Sequence, residues 1–138
     1  MEILDKLKSM VGVGAPTIAL VPGAPARAGE VLRGTVALRG GQYETAVTDI
    51  EVHLDEMRLV YPTPGRPERQ FWRRVAEVEI VLDGRTLGAG ELLELSFELV
   101  MPVDLQASGE LVSYQLVAHT EVPGLNPTTE LTIEVAGA

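Results

Sequence analysis

His53 and His119 are the only imidazoles in the chain, so they bound most acid–base and nucleophilic chemistry it could perform. A Ser-His-Asp arrangement can be assembled on paper from Ser113, His119 and an acid. No G-x-S-x-G elbow is present to offer a serine on a strained strand-to-helix turn. Both histidines fall on the polar phase of their strands and are expected at the solvated surface. Asp49, Glu51 and Asp55 share one phase, with Asp49 and Glu51 about 7 Å apart along an extended strand. Carboxylates so placed can bind calcium weakly or form a glycosidase pair. Alternating acids are equally what a solvent-facing strand shows, and no calcium-loop spacing of the D-x-D-x-D-G kind occurs. Gly12-Val13-Gly14 and Gly88-Ala89-Gly90 lack the Lys-Ser/Thr of a phosphate loop and the helix that should follow it; they read as turns. The chain has no cysteine, which removes disulfides, thiol nucleophiles and Cys-based zinc sites together. No catalytic residue, cofactor site or metal site is therefore expected.

One constellation rises above this background. Arg58, Arg66, Arg69, Arg73 and Arg74 supply five of the eleven basic residues within seventeen positions, beside Phe71 and Trp72. From Val75 onward there are eleven acids and a single base, Arg85. Arginine and tryptophan are enriched in binding hot spots, because planar guanidinium groups and large rings give much contact for little entropy. Arg66, Arg69, Trp72, Arg73 and Arg74 are accordingly the expected partner-binding residues, suited to an acidic or phosphorylated segment. The alternative is that the arginines pair with the chain's own acids while Trp72 caps the core.

The elements that must position these residues follow from periodicity. In residues 2–11, Ile3, Leu4, Leu7, Met10 and Val11 recur at helical spacing, and Gly12-Val13-Gly14 with Pro16 stops the pattern. This predicts a short amphipathic helix, a segment 1–14 apart from a sandwich domain over 15–138. From there the period is two. Glu30 to Leu38 carries Val31, Val36 and Leu38, closed by Gly40-Gly41. Ile50, Val52 and Leu54 point one way while Asp49, Glu51, His53 and Asp55 point the other. Met57, Leu59 and Tyr61 then continue the apolar face from odd positions, so a bulge or bend is expected near Asp55-Glu56. Tyr61 to Pro67 contains three prolines and reads as a loop. Trp72, Ala76, Val78, Ile80 and Leu82 share a face that should end at the turn signal Asp83-Gly84. Leu93, Leu95, Phe97 and Leu99 form the next face, Tyr114, Leu116, Ala118 and Thr120 another, and Leu131, Ile133 and Val135 the last. About seven strands with turn-rich links predict an all-β fold, two antiparallel sheets packed face to face as an immunoglobulin-like or arrestin-like β-sandwich.

Composition sets the remaining bounds. A chain of 138 residues, 46% of them hydrophobic, can bury a substantial core as one domain. A net charge of −9 argues against nucleic acid and against broad attraction to anionic membranes, which need a basic face. No basic head followed by an unbroken apolar stretch marks a signal peptide, and no run approaches the roughly 18 apolar residues of a membrane span. A soluble cytoplasmic protein is the natural reading. The N-terminal helix offers only weak peripheral contact with a membrane surface, and either that helix or an open sheet edge could join copies of the chain.

Several segments resemble the bacterial sporulation-control proteins (stage zero, protein M), whose domains are arrestin-like. Gly29-Glu30-Val31-Leu32-Arg33-Gly34-Thr35-Val36 with Gly40-Gly41 looks like that family's second strand, and Asp49-Ile50-Glu51-Val52-His53-Leu54 like its long third strand. Leu87-Gly88-Ala89-Gly90-Glu91, Leu95-Ser96-Phe97-Glu98-Leu99 and Met101-Pro102 resemble the "GE…pF.f.lP" segment of arrestin-like domains. Val112-Ser113-Tyr114-Gln115-Leu116-Val117-Ala118 and Asn126-Pro127 fit as well, although the family more often has Asp before that Pro. The opening helix and Val11-Gly12-Val13-Gly14 also look like the family's N-terminus. The resemblance implies a regulatory or scaffolding protein without catalytic residues. Family members commonly carry a further C-terminal part with a second sandwich; the likeness here covers one.

Three function classes follow. The leading one is a non-catalytic regulatory protein that binds another protein. A carbohydrate- or lipid-binding sandwich is the alternative, though sugar sites want several exposed aromatics and the chain has six aromatic residues in all. A hydrolase would need convergent polar groups that few His and Ser residues cannot supply.

Overall fold

The computed structural model describes residues 15–23, 25–60, 64–65, 69–122 and 126–137. The helix expected over 1–14 lies outside them, as does Arg66. Across the described residues the two-residue period becomes nine strands. These are β1 (Thr17–Pro22), β2 (Ala26–Arg27), β3 (Val31–Arg39), β4 (Thr45–Val60), β5 (Arg69–Leu87), β6 (Leu92–Val100), β7 (Val112–His119), β8 (Thr128–Ile133) and β9 (Val135–Ala136). Two of the nine are two-residue segments that pair in parallel. The other seven form antiparallel sheets in the orders β1-β3-β6 and β5-β4-β7-β8.

The inward positions of both sheets meet in one core. Leu20, Leu32, Val36, Leu38, Phe97 and Leu99 come from the first sheet, and Ile50, Val52, Leu54, Tyr114, Leu116 and Ala118 from the second. All are essentially excluded from solvent, and the Val, Leu, Ile and Phe side chains among them contribute roughly 1.5–3 kcal/mol each on full burial. This is the face-to-face packing that the alternation implied. Within the first sheet Gly34 lies opposite Phe97. A β-carbon there would sit 2.6 Å from the Phe97 ring and 2.7 Å from the Val21 carbonyl oxygen, so only glycine fits without displacement.

Three expectations need correction. Val31 is 38% exposed, while Leu32 is in the core; the inward phase of β3 is even-numbered and Val31 faces out. Asp83-Gly84 does not end its strand. Both residues adopt positive φ, 52° and 73°, but β5 continues to Leu87, because the turn-forming conformations are spent on a register shift between Val47 and Asp49. The bulge expected near Asp55-Glu56 is present as a register shift between Leu54 and Asp55, but the extra residue is on β5: Leu54 pairs with Ala76 and Asp55 with Arg74, leaving Val75 unopposed. Strand β4 therefore keeps its phase, and the next inward residue after Leu54 is Glu56, not Met57.

Candidate functional site

Holding that phase puts a carboxylate where an apolar side chain would be expected. Glu56 is 2% exposed. Its burial is tolerated because each oxygen is answered. Arg58 donates from Nε to Glu56 Oε1 at 2.8 Å, and Arg73, directly across the ladder, donates from Nη2 to the same oxygen at 3.3 Å. The Tyr114 hydroxyl is shared between Glu56 Oε2 at 3.2 Å and the Gln106 carbonyl at 2.5 Å. Arg58 also donates from Nη1 to the Gln106 side-chain oxygen at 3.1 Å. One network thus ties β4, β5, β7 and the segment after β6 together. Burial by itself raises the Glu56 pKa, but the hydrogen bond and charge of Arg58, the charge of Arg73 and the bond from Tyr114 outweigh it and hold the carboxyl below its ordinary range. Burial, then the charge and hydrogen bond of Glu56, push the Tyr114 hydroxyl up to about 12.

The structure divides the arginine cluster between two faces. Strand residues alternate, and the pairing of Arg73 with Glu56 and Phe71 with Arg58 places Arg69, Phe71 and Arg73 on the core-side face of β5. Trp72 and Arg74, opposite Met57 and Asp55, stand on the other. On that outer face Arg74 Nη1 lies 2.9 Å from Glu51 Oε1 and 3.2 Å from Glu77 Oε2. Internal pairing therefore accounts for Arg58, Arg73 and Arg74. Arg69 forms no ion pair among the described residues. Phe71 and Trp72 are 53% and 51% exposed, so Trp72 does not cap the core. Arg69, Phe71, Trp72, Arg73 and Arg74 lie on β5, the long edge strand of the second sheet, which among the described residues pairs only with β4, while Arg58 lies on β4 itself.

The histidines correct the sequence reading further. His53 is 5% exposed. It does occupy the outer face, as its phase required, but phase states which face a residue is on and not how crowded that face is. Its neighbours there include Val117, its ladder partner on β7 and also buried, with Glu51, Asp55 and His119. The rings of His53 and His119 meet edge to face at 6.0 Å. Ser113 and His119, by contrast, stand near opposite ends of β7. Six residues of strand separate them by about 20 Å, so the serine-histidine pairing does not form. The burial of His53 left no signal in its own strand; the recurrence of Glu51 and His53 two apart, with a second histidine on a neighbouring strand, was the pattern that could have found the cluster.

Comparison with known proteins follows the fold. A family model described as SpoOM protein matches residues 4–134. Among solved structures, the chain is similar to the crystal structure of Spo0M, a sporulation control protein from Bacillus subtilis. The TM-score is 0.80 at 19% identity, over 91% of this chain and 51% of that one. The chain thus spans about half the length of that protein, and at this identity the likeness establishes the shared fold. No curated protein matches.

Proposed function

Since the chain belongs to the SpoOM protein family, we propose that it is a non-catalytic regulatory or scaffolding protein that acts by binding another protein, with a segment of that partner docking along the free edge of β5. The observation that carries this reading is the stretch Arg69–Arg74. It is an edge segment, free of bulges until Val75. It carries two half-exposed aromatic rings and an arginine, Arg69, with no ion pair among the described residues. An edge strand offers a row of unpaired backbone groups, and an added strand can read side chains on both faces at once. That mode reconciles the exposure of Phe71 and Trp72 with their position on opposite faces.

Charge favours an acidic segment over a second copy. Two β5 edges laid together would bring this arginine-bearing stretch against its own copy, whereas a carboxylate- or phosphate-bearing strand meets Arg69, whose planar guanidinium can hold it bidentately. The same placement weighs against a sugar site, because Phe71 and Trp72 cannot form one stacking platform from two faces. Among the described residues no helix is long and apolar enough to cross a membrane. A cysteine-free chain also gains nothing from an oxidising compartment, in keeping with a cytoplasmic location.

Affinity capture tests the proposal with wild-type protein and an Arg69→Glu, Trp72→Ala double variant, two positions that no described ion pair or core contact uses. Capture of one protein by wild type and its loss in the folded variant supports the reading. Equal capture by both places the binding surface elsewhere.

A further inference from the structure

On the outer face of the second sheet, Glu51 and His53 lie two apart on β4, and His119 on β7 is the direct ladder partner of Glu51. One ligand-capable atom from each of the three lies within 4.8 Å of the others. We infer that Glu51, His53 and His119 form a binding site for a divalent transition-metal cation of the zinc type, with Asp55 as the residue that positions His53.

Four observations carry the assignment, and none depends on the partner-binding reading. The first is an unpartnered buried atom. His53 is 5% exposed, and its Nδ1 is buried with no hydrogen-bond partner, 3.8 Å from Glu51 Oε1. A buried polar atom without a partner is rare in folded proteins, and a neutral imidazole nitrogen aimed at a carboxylate is a ready metal ligand.

The second is the opposite nitrogen. His53 Nε2 lies 3.3 Å from Asp55 Oδ2. With a ring proton on Nε2 facing this carboxylate, the Nδ1 lone pair would face Glu51. Metal-bound histidines are characteristically oriented by this kind of carboxylate contact.

The third is reach. His119 Nε2 stands 3.7 Å from Glu51 Oε2. Tetrahedral zinc with bonds near 2.0–2.1 Å needs ligand atoms about 3.3 Å apart. The His53 and His119 contacts use different oxygens of Glu51; with one ligand atom taken from each residue the set lies within 4.8 Å, so drawing it in to the tetrahedral spacing takes side-chain shifts of up to roughly 1.5 Å. Two imidazoles and one carboxylate suit zinc and its first-row neighbours better than calcium or magnesium, which prefer oxygen.

The fourth is the surrounding charge. Glu79 lies directly across the ladder from Glu51, and Glu77 across from His53. Glu51, Glu77 and Glu79 line one groove. Like charges placed opposite one another on a sheet repel, and among the described residues one guanidinium, Arg74, offsets Glu51, Asp55 and Glu77. A cation relieves the excess.

Zinc and cobalt(II) titrations of the tag-free 138-residue chain test the site. Calorimetry should give a single saturable zinc equivalent, and cobalt should give the visible d–d bands of a low-coordinate, nitrogen-containing site. Glu51→Gln and His119→Gln should each weaken zinc binding by more than about 100-fold, and Asp55→Asn by ~10–100-fold. Arg74→Ala, which removes the competing cation, should tighten it. Circular dichroism confirms that each variant is folded, and His119, only partly buried, keeps the test open if a change at Glu51 unfolds the chain. Absence of saturable binding in the wild type overturns the assignment. So does binding that folded His119→Gln retains at wild-type affinity.

Discussion

Arg73 faces Glu56 directly across β4 and β5, its Nη2 3.3 Å from a carboxylate that is 2% exposed. The pair is asymmetric. Glu56 is enclosed, while the Arg73 and Arg58 side chains reach solvent. Removing the carboxylate takes away the one acceptor that Arg58, Arg73 and the Tyr114 hydroxyl share inside the protein, whereas removing one arginine leaves the other bonded to it. Glu56→Gln should therefore cost about 1–3 kcal/mol, the range for a disrupted buried hydrogen-bond partner. Arg73→Ala should cost less than about 1 kcal/mol, as for an exposed ion pair. Urea denaturation of both variants checks the order, and a larger loss at Arg73 would refute it.

The same network sets the pH response. The Glu56 carboxyl is held below its unfolded value, so the folded state binds its proton less readily. Its stabilising contribution is present above the unfolded carboxylate pKa and is lost as the pH falls through the lower folded value. Tyr114 works at the other end. Its folded pKa of about 12 exceeds the ordinary tyrosine value, so the unfolded chain gives up that proton first, and stability declines as the pH rises from about 10 toward 12. Tyr114→Phe should flatten the alkaline decline in a denaturation series across pH, and Glu56→Gln should flatten part of the acid one. An unchanged profile in both would contradict these assignments.

Gly34 tests the packing between β3 and β6. A methyl group there meets both the Phe97 ring and a backbone oxygen inside contact distance, and the backbone cannot rotate away. Gly34→Ala should destabilise by about 1–3 kcal/mol, the range for overpacked cores. Phe97→Leu should partly relieve the effect in the double variant, since it vacates one of the two clashes. Strict additivity of the two changes would show that the ring is not the obstacle.

The sandwich was legible because its core strands obey one simple rule: Ile50, Val52, Leu54 on β4 and Tyr114, Leu116, Ala118 on β7 alternate without interruption. What alternation could not show was which strand carries a bulge. Met57 and Leu59 made a slip in β4 look necessary, but the chain instead lets Val75 bulge from β5 and admits Glu56 to the interior, since Arg58 and Arg73 stand ready to neutralise it. One half of that compensation, Arg58, lies two residues on in the same strand, but the other, Arg73, is seventeen away on β5, and that link is invisible within either strand. The division of Arg73 from Arg74 was readable, by contrast, because neighbours on any strand face opposite ways. The burial of His53 was not, because it depends on what surrounds the outer face.

The central claim is that a partner segment adds to the β5 edge, and backbone hydrogen exchange across Arg69–Arg74 in the captured complex tests it most directly. Strand addition engages the amides that the free edge leaves unpaired, so these should gain protection on binding while the far edge strand β8 keeps its free-state rates. Protection at β8 or at β1, with Arg69–Arg74 exchanging as fast as in the free protein, would contradict the account.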